Sequence, residues 1–146
     1  MAQRDYILRM IEQMGQVLIR LRRMLSGQQG GGEEFRQQLD AAATQFGLNP
    51  ALLREATPET LGMLLSPTVD PSRCWLGAEL LFLDAQDAHA AGRPEDARPS
   101  YEKARLLYRL IEPAGMMLTG WPEAAARIEE IGARLDALET GNGRGP

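Results

Sequence analysis

Apolar residues recur along the first 25 positions at steps of four and three: Ile7, Ile11, Met14, Leu18, Leu21 and Leu25. That spacing puts them on one helix face and forms a heptad seam. Met10, Val17 and Met24 flank the seam, and Leu8 and Ile19 lie outside it, so the apolar band is wide. The pattern predicts one amphipathic helix over residues 4–25, weakened at Gly15 by about 1 kcal/mol relative to alanine. Such a helix must bury its face. The leading expectation is pairing between chains through the six seam residues; docking on the chain's own body is the alternative.

Residues 26–32, Ser-Gly-Gln-Gln-Gly-Gly-Gly, read as a flexible linker. Beyond it the apolar spacing stays helical. Phe35, Leu39, Ala42 and Phe46 share a face over 33–46, with acids at the start and Gly47 as the stop. Asn49-Pro50, Thr57-Pro58 and Asp70-Pro71 each pair a capping side chain with a proline suited to the first helical turn. They predict starts for a helix with Leu52, Leu53 and Ala56, one with Leu61, Leu64 and Leu65, and one that includes Trp75 and Leu76. A last helix is expected to open at residues 120–123, with the stripe Ala124, Ile128, Ile131, Leu135 and Leu138. Residues 141–146 should be disordered. No stretch alternates as a strand would.

The segment 76–112 reads as a helical hairpin. Leu81, Ala85 and Ala88 share one face, and Gly92 supplies the turn. Ala97, Tyr101, Ala104 and Leu107 form the facing stripe, in which alanines let the helices approach closely. Gly92, Ala97, Tyr101 and Ala104 fit the G-x4-A-x3-Y/F-x2-A pattern, and the hairpin resembles a tetratricopeptide repeat. Asp84 stands where that repeat usually has leucine, and Pro99 is expected to kink the second helix. A lone repeat cannot cover its own face, so neighbouring helices must.

The opening Asp5-Tyr-Ile-Leu-Arg-Met-Ile-Glu-Gln13, followed by a short acidic helix, by Leu61-Gly-Met-Leu-Leu-Ser-Pro67 and by the hairpin, is similar to a family of small, mainly bacterial proteins of unknown function. The resemblance spans most of the chain and implies a fold but no activity. The expected organisation is a helix over 1–25, a linker over 26–32, an all-α tetratricopeptide-like domain over 33–139 and a tail over 140–146.

Composition narrows the function. The formal charge of −4 disfavours general nucleic-acid binding. It is unevenly spread: residues 1–27 hold five arginines against two acids, net +3, which leaves −7 on the remainder. The single cysteine, Cys74, suits a reducing cytoplasmic setting. No apolar run reaches the ~20 residues of a membrane span, and the N-terminus lacks the pattern of a signal peptide. Arg20, Arg22 and Arg23 either complement the helix dipole or contact anionic lipid, which would make the chain a peripheral membrane adaptor.

No metal or cofactor site is expected. His89 is the only histidine, and Cys74 lies about four helical turns from it. Glu33-Glu34, Glu95-Asp96 and Glu129-Glu130 are adjacent pairs, which diverge on a helix. No phosphate loop or nucleophile motif occurs. The residues therefore point to a non-enzymatic interaction or oligomerisation module with a protein or peptide partner. Tyr101, Arg105 and Tyr108 are the candidate partner surface, and Met116-Met117 near Trp121 is a softer one. A helical enzyme would instead need Cys74, Asp84 and His89 to converge.

Overall fold

The computed structural model describes residues 2–25, 31–115 and 124–143. Among them it forms seven helices and no strand: α1 (Ala2–Met24), α2 (Gly32–Gln45), α3 (Pro50–Glu55), α4 (Pro58–Leu64), α5 (Pro71–Ala90), α6 (Pro94–Gly115) and α7 (Ala124–Gly143). The protein is all-α.

The three capping signals work as read. The side chains of Asn49, Thr57 and Asp70 accept hydrogen bonds from the backbone N–H groups of Leu52, of Thr60, and of Ser72 and Arg73. Each satisfies donors that a helix start leaves orphaned, and each precedes a proline that needs no donor there. Two glycines end α2 and α5 in the left-handed conformation, Gly47 at φ 80° and Gly92 at φ 77°. At each, paired backbone bonds close the last turn: Leu48 to Ala43 and Gly47 to Thr44, then Arg93 to Ala88 and Gly92 to His89.

The centre of the molecule is α5. From Leu76 to Leu83 every residue is buried, because α6, α1 and α2 cover it from different sides. The α5–α6 hairpin carries the densest packing; α7 and α4 lie on α6, and α3 on α2. Ala85, Ala88, Ala97 and Ala104 are all buried in the hairpin, which lets its helices close. Pro99 does not end α6, which runs on to Gly115. Beside it, Ser100 donates its hydroxyl to Asp84 Oδ2 at 2.9 Å, so Asp84 of α5 is tied to α6 across the hairpin.

Two boundaries move. The second helix begins at Gly32, within the expected linker, and the backbone N–H of Gly31 donates to Asp87 Oδ1 at 2.8 Å. A side chain at Gly31 would collide with Phe35. The last helix extends to Gly143, through positions expected to be disordered. The expected start over 120–123, Met116, Met117, linker residues 26–30 and tail residues 144–146 lie outside the described residues.

Candidate functional site

The heptad seam lies against the chain's own body. Met14, Leu18 and Leu21 are fully buried in the common core, and Ile11 and Leu25 are packed against it. The side chain of Ile7 lies outside the described residues. Pairing between chains was the expectation; in this structure α5 and α2 cover that face instead. Spacing dictates that a face be buried, not which chain buries it. Leu8 and Ile19 remain exposed on the outer side of α1.

A buried carboxylate anchors this docking. Glu79, in the apolar run of α5, is 1% exposed. Its Oε1 accepts from Arg22 Nη2 of α1 at 2.6 Å. Its Oε2 accepts from Arg127 Nε of α7 at 3.3 Å and from the hydroxyl of Tyr108 on α6. One residue thus links four helices. Arg127 also lies 4.7 Å over the Phe82 ring, a cation–π contact, and forms an ion pair with Glu130. A buried charge is tolerated only when paired in this way. The sequence carried a signal for it: a lone acid in the stretch Leu76-Gly-Ala-Glu-Leu-Leu-Phe-Leu83 must find a counter-charge.

Tyr101 and Tyr108, expected on a partner surface, are 0% and 1% exposed and belong to the core; Arg105 is half-buried. Tyr101 meets Phe82 edge-on with centroids 6.0 Å apart. Burial raises its phenol pKa, and the nearby Arg134 guanidinium opposes the rise. Both tyrosines follow the four–three stripe of Ala97, Ala104 and Ile111, which turns them inward.

A second polar tie joins the hairpin to α3. Lys103 is buried, and its Nζ donates to the carbonyls of Leu53 at 3.1 Å and Arg54 at 2.5 Å. A cation there satisfies carbonyls that the end of a helix leaves open. Arg54 pairs with Asp40 of α2 at 2.5 Å, which holds its pKa above the ordinary value.

The groups that an enzymatic reading required do not converge. Cys74 is fully buried, with Sγ 3.5 Å from the Leu107 carbonyl oxygen, and burial pushes its thiol up to about 12. Asp84 is turned to Ser100, and His89 is exposed. Among the described residues no cluster has the composition of a metal site.

What the surface offers is apolar. Met63 is 77% exposed and Val69 82%; Leu52, Leu64 and Leu110 are also exposed. Among the described residues four of the eight exposed large apolar side chains fall between Leu52 and Val69, on α3, α4 and the connection to α5, and three, Tyr6, Leu8 and Ile19, lie on α1. At Gly62 the α4 backbone approaches Leu106 and Leu110 of α6, on which α4 packs. A cleft of about 660 Å³ opens elsewhere, between Tyr6, Arg9, Met10 and Gln13 of α1 and Phe46, Gly47, Asp70 and Arg73 of the body. Among the described residues no helix is long and apolar enough to cross a membrane. Comparison with family models, with curated proteins and with solved structures returns no match for this chain.

Proposed function

We propose that this chain is a non-enzymatic protein–protein interaction module of tetratricopeptide-like build. It holds a protein or peptide partner on the edge formed by α3, α4 and the connection to α5. The observation that carries this reading is the concentration of exposed large apolar side chains at Leu52, Met63, Leu64 and Val69. Scattered exposed apolar residues are ordinary, but a local concentration of them suits a docking surface. Methionine there adds an adaptable contact. The buried polar groups support the same reading, since Glu79, Lys103 and Ser100 are each engaged in joining helices.

The test places a photo-crosslinking amino acid at position 63 and, as a control, at the exposed position 95. A partner captured from 63 and not from 95 should lose at least most of its binding to a Met63→Ser, Leu64→Ser, Val69→Ser variant whose thermal unfolding is unchanged. Full partner binding by that variant would remove this edge as the site.

A further inference from the structure

The groove that α1 fills is itself a helix-binding site. Its floor is α5 and α2, and the ligand it holds presents Met14, Leu18 and Leu21 to the core with Arg22 beside them on Glu79. We infer that this groove also accepts α1 from a second copy of the chain, so that two copies exchange their first helices.

Three observations carry the inference. First, departure of α1 does not strand the buried charge. Glu79 keeps Arg127 and the Tyr108 hydroxyl, both supplied by the body. A buried carboxylate held by one partner alone would forbid opening, because an uncompensated buried charge is strongly destabilising. Second, α1 sits on the body unevenly. The cleft of about 660 Å³ lies between its first turns and the ends of α2 and α5, while among the described side chains the fully buried ones begin at Met14. The helix can therefore be released from its open end.

Third, charge selects the occupant. Residues 1–27 carry +3 and the remainder −7, so the body attracts this helix whichever copy supplies it. The exchanged form makes the same contacts as the closed one, which is why swapping an identical element costs little. The vacated groove would otherwise expose an apolar face that water disfavours.

The experiment uses the full chain with Gln13→Cys and Arg73→Cys, both exposed on the cleft, in a Cys74→Ala background. Light scattering after size exclusion is recorded from micromolar to millimolar concentration. Each fraction is then treated with a short bismaleimide and run on a denaturing gel. The expected result is a concentration-dependent doubling of mass, with bridges in the dimer fraction joining two chains and those in the monomer fraction joining one. A monomer at all concentrations overturns the inference. So does a dimer whose bridges all lie within single chains, since it would use another surface.

Discussion

Arg22 and Glu79 stand 57 residues apart in the chain, yet their side chains meet at 2.6 Å and fasten the first helix to the central one. The carboxylate is almost fully buried and the guanidinium is 39% exposed. The two ends of this pair therefore differ in energetic weight. Glu79→Ala removes the carboxylate that Arg22, Arg127 and Tyr108 share and should destabilise the fold by about 3–5 kcal/mol. Arg22→Ala leaves a carboxylate that Arg127 and Tyr108 still hold, and should cost about 1 kcal/mol. Urea unfolding of both variants checks the asymmetry; equal losses would contradict it.

Two glycines of the helices should respond in opposite directions. A Cβ at Gly15 of α1 meets open space, so Gly15→Ala should stabilise by about 0.5–1 kcal/mol through the unfolded chain and helix propensity. A Cβ at Gly77 of α5 comes within 2.9 Å of Leu65 Cδ1 and 3.4 Å of Leu107 Cδ1. Gly77→Val overpacks that point and should destabilise by about 1–3 kcal/mol. Thermal unfolding midpoints report both.

The Cys74 thiol should be inert in the native protein. Burial raises its pKa from 9.0 to about 12, so the thiolate that reacts with disulfide reagents is suppressed. Labelling at pH 8 is expected only after denaturant is added. The same shift sets a pH dependence. Between pH 9 and about 12 the folded state keeps a proton that the unfolded state has lost, so this group's contribution is complete below pH 9 and declines as pH rises through that window. A Cys74→Ala variant should show a flatter decline of stability over the same range.

Lys103 should matter more than its charge suggests. Its ammonium group satisfies two carbonyls at the end of α3, and Lys103→Met leaves both without that donor while retaining the stem's bulk. A loss of about 1–3 kcal/mol is expected. Hydrogen exchange should quicken at the N–H groups of Leu53 and Ala56, which belong to α3 and its cap.

Local chemistry was the most legible part of this fold. Asn49-Pro50, Thr57-Pro58 and Asp70-Pro71 each announce a helix start, because cap and proline act within four residues. Gly47 and Gly92 announce helix ends for the same reason. Long-range pairing was less legible. The seam of α1 states that Met14, Leu18 and Leu21 are covered, but its periodicity carries no information about the covering helix. The mixed aromatic and polar character of Tyr101 and Tyr108 suggests a surface, whereas the stripe with Ala97 and Ala104 turns them inward. Adjacent acid pairs diverge on a helix and carry no long-range tie, whereas Glu79, a lone acid among apolar neighbours, carries the informative signal.

The span between Arg22 and Glu79 also has a consequence in time. During synthesis α1 is made before the helix that receives it, and at ~5–20 residues per second the ribosome needs roughly 3–11 s to travel from one residue to the other. Throughout that interval the face bearing Met14, Leu18 and Leu21 has no native cover of its own. Neighbouring ribosomes on one message hold other copies at later stages, some with α5 already made. Nascent chains on a shared message are therefore the setting in which the first helix meets a foreign groove before its own exists.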